Sequence, residues 1–516
     1  MLFTDFVQLC QLGETGPVIR FPVYGVVAAV LAILVNVAWQ LLPRKKSEPP
    51  LVFHWIPFIG NAVSYGMNPL HFYQQCQEKH GDIFTFVLFG KKMTVYLGTR
   101  GNEFTLNGKL KDVNAEEIYG PLTTPVFGSD VIYDCPNSKL MEQKKFVKFG
   151  LTHSALVSYV RLIEREVLDY VESSAAFKGK GGEVDIPSAM AEITIFTAGR
   201  ALQGEEVRRK LTAEFAKLYH DLDGGFRPIN FLMPWAPLPQ NRRRDAAHAK
   251  MSAVYLDIIN RRREAGAKPE DEETDMIWHL MGCRYKSGQL IPDQEIAHMM
   301  ITLLMGGQHS SSSTGSWIIL RLAAHQAVQE ELYQEQMQTL GSRPLEYADL
   351  DRLPLLRNVV KETLRVHSPI HSLMRKVMRP MPIPGTDYVV TTDKVLVASP
   401  IATHMSEAYF RDANEWDPHR WDGRAGGEDE SDIVDYGYGP VSKGTGSPYL
   451  PFGAGRHRCI GEKFAYVNLC TIISTLVRKF KFETVDGKSS VPPTDYTSLF
   501  STPTQPWQIW WKRRSP

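Results

Sequence analysis

The chain has 516 residues, a formal net charge of +1, 43% hydrophobic and 22% charged residues. A balance this close to neutral excludes a nucleic-acid protein, which needs a strongly basic stripe, and the composition is that of an ordinary globular protein. The six cysteines (Cys10, Cys76, Cys135, Cys283, Cys459, Cys470) form no CxxC pair and show no regular spacing, which argues against a disulfide framework or structural zinc and fits a reducing compartment.

Residues 1–20 are short and mixed. Phe21–Leu42 then runs without a formal charge, interrupted only by Asn36 and Gln40. That is long enough to cross a hydrocarbon core of about 30 Å as a helix. Arg44, Lys45 and Lys46 follow Pro43 and place the C-terminal bulk on the cytoplasmic side, with Trp39 near the interface. The expected organisation is a lumenal N-terminus over 1–20, a single anchor over 21–42, a proline-rich hinge over 43–60 and one catalytic domain over 61–516. The hinge is stiffest at Glu48–Gly60.

Phe84–Leu97 alternates on either side of Gly90 and predicts a β-hairpin. Tyr119–Lys148 is rich in Gly and Pro and predicts a loop leading into a basic helix. Helical periodicity dominates from Leu151 to Leu364, broken near Gly224–Pro239 and Gly266–Glu273. Val377–Val397 predicts a small sheet, and the acidic, glycine-rich Glu428–Tyr449 a solvated surface loop. The fold class is mostly α with small β-sheets set to one side, an α+β arrangement.

Three stretches break the packing pattern. In the predicted helix Asp293–Leu320, Ile296, Met300, Leu303, Leu304 and Gly307 share one face, but the Gly306-Gly307 pair costs about 1 kcal/mol per glycine in a helix interior. Gln308, His309 and a run of serines follow where packing prefers carbon, so the pair opens space beside groups with mobile protons. Glu362 and Arg365 lie three apart, where helical pairs face each other. In Pro451–Gly461, Gly453, Gly455 and Gly461 let the backbone turn tightly around Cys459. The apolar helix Glu462–Phe480 follows, so its N-terminus and Arg456, His457 and Arg458 favour a thiolate there. An anionic axial ligand for haem iron needs that setting.

Phe452, Gly455, His457, Cys459 and Gly461 meet the spacing Phe-x-x-Gly-x-His-x-Cys-x-Gly. This resembles the haem-binding loop of the cytochrome P-450 superfamily, with His457 where arginine is common. The resemblance implies that fold, preceded by one transmembrane helix, and haem b (iron protoporphyrin IX) on the Cys459 thiolate. Gly306, Gly307, Gln308, His309 and Ser310 resemble the family's Ala/Gly-Gly-x-acid-Thr dioxygen motif, with histidine for the acid and serine for the threonine. Both swaps keep groups that relay protons. Glu362, Arg365 and Arg420, the last in Asp417–Trp421, resemble the triad that braces the cysteine loop.

The Gly-Gly-Gln-His-Ser form and the stretch Tyr119–Gly128 look closest to the fungal sterol 14α-demethylases, the azole targets. By that likeness Asp223 is the partner of His309; the alternative is an ordinary capping aspartate. Tyr119, Tyr133, Lys144, Arg375 and His457 would meet the haem propionates, with Phe452, Gly453 and Gly461 shaping the loop. Leu122, Thr123, Phe127, Phe226 and Phe231 would line the substrate pocket. His371, Ser372, Leu373, Leu499 and Phe500 would complete it beside Gly306 and Gly307.

The implied activity is removal of the 14α-methyl of lanosterol or eburicol by three oxidations using O2 and NADPH, in ergosterol biosynthesis. Electrons would arrive from a flavoprotein reductase docking near Lys361, Arg456, Arg458 and Lys463, at the endoplasmic reticulum membrane with the catalytic domain facing the cytosol. Three alternatives remain open: a monooxygenase of fatty acids or xenobiotics, a haem-thiolate isomerase or peroxide-using enzyme, and a haem sensor.

Overall fold

A computed structural model describes residues 17–211, 213–266, 275–423, 433–487 and 490–514. The axis of the molecule is the helix Asp293–Ala324, which packs on Ile186–Ala198, Pro239–Ala265 and Glu462–Lys479. From Ser313 to Leu320 every residue is buried, and Trp317, Ile318 and Ile319 expose nothing to solvent. At roughly 1.5–3 kcal/mol for each large apolar side chain removed from water, this stripe accounts for much of the helical layer's cohesion.

The main sheet runs in the order Ile83–Leu88, Lys91–Tyr96, Lys394–Ala398, Leu373–Val377, Val113–Asn114. The expected hairpin is its edge, antiparallel with Phe84 opposite Val95, while Lys394–Ala398 joins parallel to its second strand. The strand Gly181–Asp185, inside the stretch expected to be helical, pairs with the C-terminal strand Gln508–Arg513. Its partner lies more than three hundred residues away, so local periodicity did not reveal it.

Two expected loops carry structure. Glu116–Phe127 is a helix despite Pro121 and Pro125 within it. A proline inside a helix costs about 3 kcal/mol; the burial of Tyr119, Leu122 and Val126, two acidic residues in the first turn and the Asn114 side chain on the Glu117 amide offset it. Gly128, at φ 101°, ends the helix where a Cβ would strike the His298 ring. Of the expected solvated loop Glu428–Tyr449, Ile433–Asp435 and Pro440–Ser442 form a hairpin, and residues 428–432 lie outside the described residues.

The N-terminal helix spans Pro17–Leu41, and its Tyr24–Leu41 part is apolar, exposed and long enough to cross a membrane. Residues 1–16, most of the expected lumenal segment, and Cys10 with them lie outside the described residues. The expected hinge is not free. Val52 N donates to Thr85 O at 2.8 Å, and Asn61 Nδ2 to Phe53 O at 3.1 Å.

Candidate active site

The loop Pro451–Gly461 is folded by its own glycines and by the groups behind it. Gly453 and Gly455 sit at φ 69° and 68°, and a Cβ on Gly455 would lie 2.3 Å from Leu106 O, so only glycine lets the two backbones meet. Cys459 N donates to Phe452 O at 3.0 Å, and Leu450 N to the His404 ring at 2.8 Å. This presents Cys459 Sγ to an internal cavity of about 440 Å³. The residue's accessible surface faces that cavity rather than bulk water, so the sulfur lies deep in the protein yet open to the cavity.

Glu362 centres a buried cluster next to His404, whose ring receives Leu450 N at the start of the loop. Its carboxylate accepts from Arg365 Nε at 2.9 Å and Nη2 at 2.7 Å, from Arg420 Nε at 3.1 Å and from the Trp421 indole at 3.0 Å. Arg365 also donates to the carbonyls of His404, Ala413 and Glu415. Glu362 and Arg365 are wholly buried, and a buried ion pair this fully satisfied costs about 3–5 kcal/mol to break from one side.

Around the cavity stand Tyr119, Tyr133, Lys144, Arg375, His457, Phe452, Gly453 and Gly461, all expected there. Lys144 Nζ donates to the carbonyls of Arg456 at 2.8 Å and Arg458 at 3.2 Å, and Arg375 Nη1 to Met374 O at 2.8 Å. Neither cation has a carboxylate within 4.0 Å among the described residues. Burial pulls Lys144 down to about 8, the nearby Cys459 acting in the opposite sense. His457 is held well below its ordinary value by burial and by Arg375 and Lys144.

Two buried cations without anions, beside an apolar cavity floored by a sulfur, fit a flat apolar group carrying carboxylates. A haem is such a group. Cys459 is not the ready-made thiolate expected from its place before a helix: burial pushes the thiol up, against the Gly461 backbone, Lys144 and Arg458. Desolvation outweighs the helix N-terminus until a bound metal cation holds the thiolate.

The opposite wall is the central helix. Leu303, Gly306, Gly307, Ser310, Ser311 and Thr314 recur at helical spacing along it. At Gly306 a Cβ would meet nothing within 4 Å, so this is where the helix leaves room. Ser310 Oγ donates to Gly306 O at 3.0 Å. His309 faces away from the cavity, stacked on Phe500 at 5.0 Å, with Nε2 3.2 Å from Asp223 Oδ1. That contact has no hydrogen-bond alignment, and both atoms are otherwise unpartnered and buried. Burial lowers the His309 pKa, and Asp223 raises it. Ser311 and Thr314 were not among the expected cavity residues, although one turn beyond Ser310 is Thr314.

The expected pocket residues divide between two spaces. Phe127, Leu373 and Phe500 line the first cavity with Gly306 and Gly307. Phe231, His371, Ser372 and Leu499 line a second, of about 760 Å³, and Tyr119 borders both. Leu122 and Phe226 are packed in the core, and Thr123 is buried with its hydroxyl on Tyr119 O at 2.9 Å; none of the three lines either space. Leu122 and Thr123 lie on the inward face of the proline-bearing helix, which a stretch expected to be a loop did not indicate, and Phe226 belongs to the separate turn Gly224–Phe226, its ring packed on Phe127. In the second cavity Ser372 Oγ meets Tyr65 OH at 3.1 Å, Tyr73 OH at 2.7 Å and His371 Nδ1 at 2.8 Å.

The expected basic docking face is largely engaged. Arg458 pairs with Glu462 at 2.6 Å, Lys361 lies over the Trp421 ring and Arg456 over Tyr436, leaving Lys463 as the exposed member.

The family model described as cytochrome P-450 matches residues 49–511. A sterol 14-alpha demethylase of Gibberella zeae is 66% identical over 96% of this chain and 98% of its own length, and one of Aspergillus flavus is 68% identical over 95% and 96%. An eburicol 14-alpha-demethylase of Penicillium italicum is 59% identical over 97% and 99%. The solved structure of a retinoic acid-bound cyanobacterial protein matches with TM-score 0.75 at 20% identity, covering 91% of this chain and all of the other, a likeness of fold alone.

Proposed function

This chain belongs to the cytochrome P-450 family, and on that premise we infer that it is a haem-thiolate monooxygenase that removes the 14α-methyl of lanosterol or eburicol in ergosterol biosynthesis. The observation that carries the reading is the facing of Cys459 by the Gly306–Ser310 notch across an apolar cavity, with the demethylase relatives named above on nearly the whole chain.

The haem would supply reductive activation of dioxygen. Cys459 would hold the iron, and Lys144, Arg375, Tyr119, Tyr133 and His457 would take its propionates. Gly306 keeps a small space open, and Gly307 lets the helix pack closely on Leu202 beside it. Asp223, 34% exposed, passes protons from the outside to the 14%-exposed His309, and Ser310 delivers them on the cavity side. The apolar walls exclude water so that the methyl group, rather than solvent, is oxidised.

Three rounds convert the methyl to alcohol, to aldehyde and to released formate, each using one O2 and one NADPH through a flavoprotein reductase. Lys463 is the cation of the expected docking face left free for that partner. Azoles would compete for the same cavity. The apolar Tyr24–Leu41 helix with Arg44, Lys45 and Lys46 behind it supports an endoplasmic reticulum anchor with the catalytic domain in the cytosol. The unit then runs as an anchor over 21–42, a connector over 43–60 and a haem domain over 61–516.

Incubation with a reductase, NADPH and either sterol should yield formate and the demethylated sterol in equal amounts. Hydroxylated fatty acids with no demethylated sterol would overturn the substrate assignment.

A further inference from the structure

Asn36 and Gln40, the two polar residues of the apolar N-terminal helix, take no part in the chemistry. Asn36 Nδ2 donates to the carbonyls of His54 at 2.9 Å and Trp55 at 3.1 Å. Gln40 Nε2 donates to His54 O at 2.7 Å, and its Oε1 accepts from His54 N at 3.0 Å. An amide in an apolar span is costly unless satisfied, and these are satisfied by backbone from the connector. That backbone is in turn pinned to the catalytic domain through Val52 on Thr85 and Asn61 on Phe53.

The depth follows from helix geometry. Asn36 lies five residues before the helix end, about 7.5 Å up the axis. The segment it holds must therefore reach the level of the last turns of the anchor, where the bilayer interface begins. What that segment displays suits the place: Trp55 is 66% exposed, Phe58 62%, Ile56 44% and Phe53 43%. Such a patch is costly in water and stable at a headgroup boundary. Val63 and Met67, exposed by 63% and 75%, continue it to the rim of the 760 Å³ cavity.

Resting on the reading of this helix as a membrane anchor, we propose that Asn36 and Gln40 form a clamp that seats Phe53–Phe58 in the lipid and holds the mouth of the larger cavity against the bilayer. The occupant of the patch is lipid, because it is continuous with the anchor helix and hydrogen-bonded to it. A sterol dissolved in the membrane then meets the cavity without crossing water.

The test uses the full chain, haem-loaded, in phosphatidylcholine nanodiscs, with photoreactive benzoylphenylalanine in place of Phe58 or, separately, Val30. Both sites should crosslink to lipid. In an Asn36→Leu/Gln40→Leu chain the Val30 adduct should persist while the Phe58 adduct falls by about tenfold. The KM for sterol should rise severalfold in nanodiscs and stay unchanged in detergent micelles, with kcat and the reduced carbonyl spectrum unaltered. A Phe58 adduct that the double substitution leaves intact, or one formed with protein instead of lipid, overturns the clamp while the anchor stands. Loss of lipid adducts at Val30 in the unsubstituted chain overturns the anchor reading and the clamp with it.

Discussion

Lys144 carries an ammonium into the wall of a largely apolar cavity, where carbonyls from the cysteine loop are its acceptors. Burial lowers its pKa from 10.5 to about 8. The folded state without haem therefore disfavours the charged form, and between those two values the unfolded chain holds more protons. Stability of the haem-free protein should rise with pH through that window, by the sign of the linkage. A propionate reverses the preference because it selects the ammonium. The Lys144 contribution to haem affinity should accordingly fall as pH climbs above about 8, read as a haem dissociation rate that rises faster with pH in the unsubstituted protein than in Lys144→Met, the Cys459 proton release being common to both. The residue types around the cavity were legible in the chain because each sits in a recognisable motif. The suppression of the Cys459 thiolate was not, since desolvation depends on everything packed around the sulfur.

The central helix shows how an element can be locally weak for a reason. Gly306 and Gly307 are neighbours with opposite surroundings: a Cβ on the first meets nothing within 4 Å, and on the second it comes to 3.2 Å from Leu202 Cδ1. Gly306→Ala should stabilise the helix by about 0.8–1 kcal/mol, the propensity difference, measured by denaturant unfolding. The same methyl would stand in the space facing Cys459, so turnover should drop while Tm rises. Gly307→Ala should not show the stability gain, because Leu202 must move. The helix from Glu116 to Phe127 teaches the complementary lesson. Its two prolines and Gly120 point locally to a loop, and tertiary burial of one face overrides them.

At the scale of the molecule, helices, a five-stranded sheet and a loop enclose a cavity of about 440 Å³. A group bound there packs against all three and so couples them. A ligand present at a thousand times its Kd adds about 4 kcal/mol of stability when it binds only the folded state. Removing the haem should therefore lower Tm by several degrees and speed hydrogen exchange in Pro451–Gly461, followed by calorimetry and mass spectrometry. By itself the sequence determined the mostly helical class, the apolar N-terminal helix, the hairpin around Gly90 and the cysteine loop, since each is written in contiguous residues whose spacing and glycine content constrain the backbone directly. Only the tertiary structure decided which pocket residues share a cavity, that three of them are core, that Gly181–Asp185 is a strand and that Asn36 holds His54. Those outcomes depend on which distant segments meet, and burial and pairing across such separations leave no periodic trace along the chain.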